Sequence, residues 1–303
     1  MVVQRIRRPA LDATALPHGK RARLHRMLHQ YGPGHGTMLV LPVDQGLEHG
    51  PIDFLPNPPS EDPGFQIRLG IEGRYSAVAF HVGIASRVAS AQVGRVPLIL
   101  KVNGKTNVPP EDRAFSGLTG RVEDAVRLGA DAVGYTLYVG SPRQDDDFTQ
   151  LTSVRAECDR YGMPLIIWSY PRGEAIEKKG GRNSLYAVDY AARVAAELGA
   201  DVIKLNAPVL DQKAKESSPQ PYNELVLDYR AAVEKVVRSA AGAFVLFSGG
   251  SRVSDADLLE RARQVMEAGA TGLIFGRNMW QRPLADALRL TEEIKRVMLA
   301  AAA

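Results

Sequence analysis

Two lysines interrupt apolar stretches of strand length, where a charged side chain is unusual. Lys204 lies in DVIKLN (201–206), and Lys101 lies in VPLILKVN (96–103). Lysine is rarely buried unless it is paired or functional. Burial lowers the pKa of an amine and so supplies the neutral nucleophile that a Schiff base requires. Lys204 is therefore a candidate nucleophile, and the alternative is a lysine whose amine reaches solvent at the strand end.

An acidic residue follows the first apolar stretch of the chain. Asp44 lies in LPVDQGLEHG (41–50), where a carboxylate can orient a hydroxyl, move a proton or pair with a lysine. Lys101 has three roles open to it: lowering the pKa of Lys204, contacting a substrate phosphate or hydroxyl, or pairing with Asp44. Asp44, Glu48 and His49 also suggest metal ligands. Barrel metal sites usually draw ligands from several strands, and the other strand ends supply few histidines, so we expect no metal.

Aromatic residues and an arginine end another apolar stretch, at WSYPRG (168–173). Strand alternation directs Trp168 and Tyr170 to the same side. A tyrosine there can act as a general acid or base, and a tryptophan can wall a pocket and exclude water. Arg172 suits a phosphate. The alternative is an aromatic pair in the core beside a surface arginine.

Glycine-rich turns end the last two apolar stretches, at FSGGS (247–251) and FGRN (275–278). Barrels often bind phosphate after strands 7 and 8, through backbone N–H groups and a short helix N-terminus. Glycines let the backbone approach the phosphate, and an arginine adds charge. The predicted phosphate-binding residues are Ser248, Gly249, Gly250, Gly276 and Arg277.

Eight apolar stretches of strand length recur, each rich in Val, Ile, Leu and aromatic residues. Such near-continuous runs are typical of strands that are covered on both faces, as in a parallel sheet. They occupy 37–44, 75–82, 96–103, 131–138, 164–170, 201–206, 243–248 and 271–277. Segments of helical periodicity occupy 121–128, 149–161, 185–198, 222–240, 255–268 and 284–299.

This alternation predicts an α/β fold, a (β/α)8 TIM barrel over 37–303, with a helical and basic N-terminal extension over 1–36. A doubly wound open sheet is the rival fold. It would normally show a glycine-rich dinucleotide turn after its first strand, and DQGLEHG (44–50) does not match that pattern. We expect a helix near 19–30 and a long, proline-rich loop over the barrel mouth at 51–62.

The net charge of the chain is concentrated at one end. Its 303 residues carry a formal charge of +4, and residues 1–30 hold seven basic residues and one acid. A solvated arm or a helix at the barrel bottom is the preferred interpretation, with an organelle transit peptide as the alternative. We expect no nucleic-acid partner, because no basic stripe with aromatic readers is visible.

The remaining composition argues against a membrane or secreted protein. No apolar run is long enough to span a membrane, and the first residues lack the apolar region of a secretory signal. The single cysteine, Cys158, excludes an intrachain disulfide and suits a reducing compartment. We therefore expect a cytoplasmic protein with no membrane partner.

Six motifs occur in chain order at the ends of predicted strands, and together they cover about 37–283. They are LPVDQGLEHGP (41–51), LKVN (100–103), IWSYPRG (167–173), VIK (202–204), FSGG (247–250) and GRN (276–278). This set resembles the archaeal-type class I fructose-1,6-bisphosphate aldolases, and NPP at 57–59 is similar to their bacterial branch. The resemblance implies a metal-independent, cofactor-free lyase acting on a phosphorylated sugar, and a homo-oligomer.

The resemblance also implies roles for individual residues. Lys204 would form the Schiff base, Tyr170 would be the general acid/base, and Trp168 would wall the pocket. Asp44 would hold the lysine and the substrate, and Arg172 would contact the second phosphate. Lys101 matches the family in position without a firm role. The C1-phosphate would lie on Ser248, Gly249, Gly250, Gly276 and Arg277.

Other functions fit parts of the pattern. A transaldolase-like synthase or a thiolase-like enzyme would share the strand 1 aspartate and the strand 6 lysine. A non-catalytic sugar-phosphate-binding barrel would keep the phosphate loops but would leave the positions of Lys204 and Tyr170 unexplained. A metal-dependent aldolase needs several histidines, and four of the six lie in the first 35 residues. The polar insert at 209–221 has no assigned role and is expected to be mobile.

Overall fold

The computed structural model describes residues 8–250 and 252–302, and its centre is a closed barrel of eight parallel strands. Each strand pairs with its neighbours in the chain, and the last strand pairs with the first. The barrel strands are β1 (Met38–Pro42), β2 (Ala77–His81), β3 (Leu98–Lys101), β4 (Ala132–Val139), β5 (Leu165–Pro171), β6 (Val202–Asn206), β7 (Phe244–Ser248) and β8 (Gly272–Ile274). The predicted (β/α)8 TIM barrel is confirmed.

Helices surround the barrel and its two ends. They are α1 (His18–His25), α2 (Gln45–His49), α3 (Pro63–Glu72), α4 (Val82–Gln92), α5 (Val122–Arg127), α6 (Gln144–Tyr161), α7 (Glu174–Glu177), α8 (Leu185–Glu197), α9 (Gln212–Ser217), α10 (Tyr229–Ser239), α11 (Asp255–Glu267), α12 (Arg277–Trp280) and α13 (Leu284–Ala302). Within the described ranges, none of these helices is long and apolar enough to cross a membrane. Two short strands, Asn103–Gly104 and Gly117–Leu118, pair antiparallel outside the barrel.

Some elements differ from the predicted segments. α10 begins at Tyr229 rather than at 222, because the Asp228 side chain accepts a hydrogen bond from the Ala231 N–H and caps the helix there. The insert at 209–221, expected to be mobile, contains α9, and Asp211 caps that helix in the same way. The two short strands outside the barrel were not predicted, since two residues are too few to show a periodicity.

Side-chain alternation along the strands separates two cores. One set of side chains packs outward against the helices, and the other fills the barrel. Burying each Val, Ile or Leu side chain in these cores contributes about 1.5–3 kcal/mol. The barrel interior contains Met38, Val40, Ala77, Ala79, Ile99, Ala132, Ile166, Val202, Phe244, Leu246 and Ile274.

The N-terminal segment closes the bottom of the barrel. Leu24, Met27 and Leu28 are buried in the same cluster as the interior side chains. Lys20 is buried and forms ion pairs with Asp201, at 2.9 Å, and Asp159, at 2.7 Å. The charge of the arm is therefore partly matched by acids at the bottom. Residues 1–7 of the predicted extension lie outside the described residues.

The proline-rich loop at 51–62 is fixed at the side of the mouth next to β8. The Asn57 side chain is buried, and its Nδ2 donates hydrogen bonds to the carbonyls of Trp280, at 2.9 Å, and Arg282, at 2.7 Å. The Phe54 and Trp280 rings lie 5.1 Å apart. The Gln281 side chain donates to the Asp53 carbonyl at 2.6 Å. This loop therefore couples the first βα connection to α12.

Candidate active site

The strand register brings the predicted residues together at the carboxyl ends of the strands. On β5, Trp168 lies beside Lys204 of β6. Two residues further along β5, Tyr170 lies beside Tyr138 of β4. Lys101 is the last residue of β3, and its side chain faces inward like that of Ile99 two residues earlier. Because the strands are parallel, all these side chains point into one mouth of the barrel.

Lys204 is almost completely buried, with 5% of its surface exposed. Its Nζ donates a hydrogen bond to the Tyr170 hydroxyl and lies 4.0 Å from the centroid of that ring. Burial lowers the pKa of Lys204 to about 7, and the carboxylates of Asp44 and Glu48 oppose this shift. The neutral amine, which is the form that attacks a carbonyl, is therefore available near pH 7.

Tyr170 is placed to exchange a proton with whatever is bound to Lys204. Burial raises the pKa of Tyr170 well above its ordinary value, and the negative charges of Glu48 and Asp44 act in the same direction. The phenol is therefore protonated at rest and serves first as a donor. Its ring stacks on Tyr138 with 6.5 Å between centroids.

Lys101 lies beside this pair but has different contacts. Its Nζ donates to Thr136 Oγ1 at 2.6 Å and lies 4.3 Å from the Trp168 ring centroid. Burial lowers the pKa of Lys101 to about 8, against the opposing charges of Asp44 and Glu48. Gly134 makes this arrangement possible, because a Cβ there would lie 2.7 Å from Lys101 Cδ and 2.8 Å from Trp168 Cζ3. The charge of Lys101 also lowers the pKa of Lys204.

Asp44 supplies negative charge to both lysines. It lies two residues after the end of β1 and directly precedes α2, and its charge raises the pKa of Lys204 and Lys101. Its Oδ1 is buried and has no hydrogen-bond partner within the described residues. A buried carboxylate oxygen without a donor is costly, so a substrate hydroxyl at this position would satisfy it. Burial also lowers the pKa of neighbouring His81 to about 4, which keeps that imidazole neutral.

The glycine-rich turns lie together beyond β7 and β8. Ser248 Oγ donates to Asn206 Oδ1 at 2.8 Å across the β6–β7 register. A Cβ on Gly249 would lie 2.9 Å from Asn278 Nδ2, and Gly250 has a φ of +68°. A Cβ on Gly276 would lie 2.7 Å from Gln45 Nε2. The backbone is thus packed closely at Gly249 and Gly276, and Arg277 begins α12 directly after Gly276.

Arg172 directly follows β5, on the Tyr170 side of the mouth. Its guanidinium Cζ lies 5.1 Å from the Tyr170 ring centroid and 5.8 Å from that of Tyr138. Its Nη1 donates to the Pro171 carbonyl at 2.9 Å, and its Nε lies 3.8 Å from Glu111 Oε2. The cation is therefore next to the reactive pair of Lys204 and Tyr170.

Several residues of the site carried no clear sequence signal. The sequence suggests Glu48 only as a metal ligand, yet its charge acts on both lysines and on Tyr170. The strand alternation, followed back from Tyr138, would have identified Thr136 and Gly134 as inward-facing. His49, the other suggested metal ligand, pairs with Asp53 at 2.6 Å. Among the described residues, no group of three or more His, Cys, Asp or Glu could hold a metal ion.

One family model and several known proteins are similar to this chain. Residues 38–282 match the model of the family described as DeoC/LacD family aldolase. The chain is 37% identical over 260 residues to the class 1 fructose-bisphosphate aldolase of Thermoproteus tenax, covering 86% of this chain and 88% of that protein. It is 33% identical over 270 residues to the 2-amino-3,7-dideoxy-D-threo-hept-6-ulosonate synthase of Halobacterium salinarum, covering 89% and 88%.

One similar solved structure holds a reaction intermediate. It is an archaeal fructose-1,6-bisphosphate aldolase whose catalytic lysine is covalently bound to the carbinolamine intermediate of the substrate. It superimposes with a TM-score of 0.77 at 35% identity, covering 91% of this chain and 98% of that one. The family match over most of the chain and the identity to full-length relatives lead to one conclusion: this chain belongs to the DeoC/LacD family of aldolases.

Proposed function

We propose that this protein is a class I aldolase that reversibly cleaves fructose 1,6-bisphosphate into dihydroxyacetone phosphate and glyceraldehyde 3-phosphate. The observation that carries the proposal is the buried amine of Lys204, with a pKa lowered to about 7, in contact with the protonated phenol of Tyr170. The similarity to class 1 fructose-bisphosphate aldolases supports the choice of substrate.

The first half of the reaction builds the electron sink. The neutral Nζ of Lys204 attacks the C2 carbonyl of the open-chain ketose and forms a carbinolamine. Tyr170 gives its proton to the carbinolamine hydroxyl, which leaves as water, and the nitrogen becomes an iminium. The phenolate that remains is close to this positive charge, since Tyr170 contacts Nζ in the free protein.

The second half uses the phenolate as a base. It removes the proton of the C4 hydroxyl, the C3–C4 electron pair moves into the iminium, and glyceraldehyde 3-phosphate leaves. Tyr170 then protonates C3 of the enamine, and water hydrolyses the new iminium to release dihydroxyacetone phosphate. Atoms and electrons balance with one lysine, one tyrosine and one water, and no step routes through a metal or other cofactor.

The remaining site residues hold the substrate in this proposal. Ser248, Gly249, Gly250, Gly276 and Arg277 bind the C1-phosphate, and Arg172 contacts the second phosphate. Trp168 and Lys101 form one wall, and Asp44 orients a hydroxyl with its unsatisfied Oδ1. Two phosphates far from the broken bond supply binding energy that aligns the reacting carbons.

We further propose that the protein is a cytoplasmic homo-oligomer. Val209, Leu210 and Val226 expose 53%, 45% and 88% of their surfaces and line one cavity of about 240 Å³, which supports an apolar contact with another copy. The single, buried Cys158 is compatible with a reducing compartment. Light scattering on the purified chain would give the mass, and a mass of 32.9 kDa would refute the oligomer.

The activity is tested by following triose phosphate release from fructose 1,6-bisphosphate in the presence of EDTA. The proposal expects cleavage at the same rate with and without the chelator. Cleavage that EDTA abolishes would indicate a metal-dependent aldolase. The related synthase at 33% identity makes a Schiff-base enzyme with another substrate the second candidate. That candidate is favoured if dihydroxyacetone phosphate forms an adduct on Lys204 while the bisphosphate is not cleaved.

A further inference from the structure

One carboxylate at the mouth is surrounded by three cations. Glu111 Oε2 lies 3.0 Å from Arg182 Nη1 and 3.8 Å from Arg172 Nε, and Glu111 Oε1 lies 4.0 Å from Lys105 Nζ. Lys105 and Glu111 belong to the connection after β3, whereas Arg172 and Arg182 follow β5. Arg182 Nε also lies 3.7 Å from Glu177 Oε1, so separate loops bring three positive charges to two acids, and the cluster keeps a net charge of +1.

Glu111 neutralises this cluster only in part. Arg182 alone is within hydrogen-bond distance of the carboxylate. Arg172 exposes 12% of its side chain, and its Nε is buried without a hydrogen-bond partner in the described part of the chain. A buried N–H donor without an acceptor costs free energy. The cluster thus offers more donors than the two oxygens of one carboxylate satisfy.

The position of the cluster links it to the reaction. Arg172 Cζ lies 5.1 Å from the ring centroid of Tyr170, whose hydroxyl contacts Lys204. The charge of Arg172 also lowers the pKa of Lys204. A phosphate dianion carries three terminal oxygens and two charges. It therefore matches the unpaired donors better than Glu111 does, and it matches the net charge of +2 that the three cations and Glu177 carry without Glu111.

We propose that Glu111 is an internal anion that occupies the second-phosphate position until the substrate's phosphate displaces it. This inference rests on the proposed function and adds a determinant of specificity to it. Glu111 keeps three cations together when the site is empty, and the incoming phosphate must compete with it. Glu111 therefore weakens binding of a bisphosphate and speeds release of the phosphorylated aldehyde.

A monophosphorylated ketose provides the internal comparison. Fructose 1-phosphate has no second phosphate, so Glu111 stays in place when that sugar binds. The competition thus lowers the preference for the bisphosphate without affecting the chemistry at Lys204. A change at Glu111 should alter the KM for the bisphosphate and leave the KM for the monophosphate unchanged. A general structural defect would affect both.

The test is Glu111→Gln, which keeps the shape of the side chain and an acceptor for Arg182 but removes the charge. The proposal expects KM for fructose 1,6-bisphosphate to fall about three- to tenfold, the effect of removing one partly screened competing ion pair. For fructose 1-phosphate, KM and kcat should stay within about twofold. The inhibition constant of inorganic phosphate should fall by the same factor as KM for fructose 1,6-bisphosphate.

The control is Glu174→Gln, which removes one negative charge from α7 nearby. Glu174 is 76% exposed, and its carboxylate pairs with Lys178 at 2.6 Å rather than with the cluster. This variant should leave the KM for both sugars unchanged. A fall in KM of the same size in both variants would mean that net charge alone is responsible, and would overturn the inference.

Two other results would also overturn it. A higher KM for the bisphosphate in Glu111→Gln would mean that the carboxylate orients the cations instead of competing for them. An unchanged KM for the bisphosphate and an unchanged inhibition constant for inorganic phosphate would mean that no phosphate binds at the cluster. If the unaltered chain cleaved neither sugar, the proposed function would fail. In that case, calorimetric titration would still show whether Glu111→Gln binds inorganic phosphate more tightly than the unaltered chain does.

Discussion

Burial is the main cause of the low pKa of Lys204, and its effect exceeds that of the two carboxylates nearby. Asp44 and Glu48 each raise this pKa, whereas Arg172 and Lys101 lower it. The opposing charges of the two carboxylates hold the pKa of Lys204 near 7 and counteract a further decrease caused by burial. A nucleophile is most useful when its pKa lies near the operating pH.

The pH dependence of Schiff-base formation follows from this value. Below pH 7 the amine is mostly protonated, so the rate of adduct formation should rise about tenfold per pH unit and level off above about 7. The rate is measured by incubating protein with dihydroxyacetone phosphate at each pH and quenching into cyanoborohydride at one fixed pH. A rate that keeps rising to pH 9 would show a lysine of ordinary pKa and contradict the structure.

Tyr170→Phe tests the proton transfers that the mechanism assigns to this phenol. The variant keeps the ring that stacks on Tyr138 but loses the hydroxyl that contacts Lys204. Cleavage should fall by about 10²–10⁴-fold, the usual contribution of a positioned acid or base. The matched control, Tyr190→Phe, removes a hydroxyl from a half-exposed ring on α8 and should leave the rate unchanged. Cleavage by Tyr170→Phe within tenfold of normal would exclude the assigned role.

The residues that could be predicted are those that break a local pattern. Lys204 and Lys101 are charges inside apolar strands, and both lie near the carboxyl ends of their strands, where barrels hold their active sites. Glu111 and Arg182 lie in connecting loops, where charged residues are ordinary, so nothing in the sequence distinguishes them. Their importance arises only when separate loops meet at the mouth, which is a property of the folded chain.

At the scale of elements, β4 controls the space available to the lysines. Gly134 lies on this strand beside Lys101 of β3, and its lack of a Cβ leaves room for that side chain and for Trp168. Both neighbours have contacts of their own, since Lys101 bonds to Thr136 and its amine lies over the Trp168 ring. Neither can move freely.

Gly134→Ala should therefore disturb both stability and activity. The added Cβ must displace Lys101 and Trp168, and overpacking of this kind costs about 1–3 kcal/mol of unfolding free energy. Denaturant unfolding and the cleavage assay measure the two effects. Gly83→Ala is the control, because nothing lies within 4 Å of a Cβ on that α4 glycine, and helix propensity should stabilise the variant by up to about 1 kcal/mol. Equal changes of unfolding free energy and of cleavage rate in the two variants would contradict the crowding argument.

The barrel strands could be predicted from apolar stretches because each is buried on both faces. Helix boundaries were less accessible, since α10 begins where the Asp228 cap forms and not where the apolar periodicity begins. α9 lies in a polar insert and has only six residues, so its sequence shows no apolar face. Capping hydrogen bonds and loop packing determined where these two helices form.

At the scale of the whole molecule, the basic N-terminal segment has a structural function at the barrel bottom. Lys20 of α1 reaches Asp201, which directly precedes β6, and both side chains are at most 5% exposed. Asp201 Oδ2 also accepts a hydrogen bond from the Leu165 N–H at the start of β5. The segment thus ties together the ends of neighbouring strands opposite the site.

Lys20→Met should destabilise the fold without changing the chemistry. Removing the cation leaves the buried Asp201 charge unpaired, which costs about 3 kcal/mol. The free energy of unfolding should fall by that amount, whereas kcat of the folded protein should stay within about twofold because the site is at the other end of the barrel. Recovery of stability in the double variant Lys20→Met with Asp201→Asn would identify the unpaired charge as the cause. An unchanged free energy of unfolding in Lys20→Met would refute it.

The central claim is that Lys204 forms the covalent intermediate, and borohydride trapping tests it most directly. Protein is incubated with dihydroxyacetone phosphate, reduced with sodium borohydride and digested, and the modified peptide is sequenced by mass spectrometry. We predict a single reduced adduct on Lys204, absent from Lys204→Met. An adduct on Lys101 instead, or no adduct although dihydroxyacetone phosphate binds, would contradict the assignment of the nucleophile.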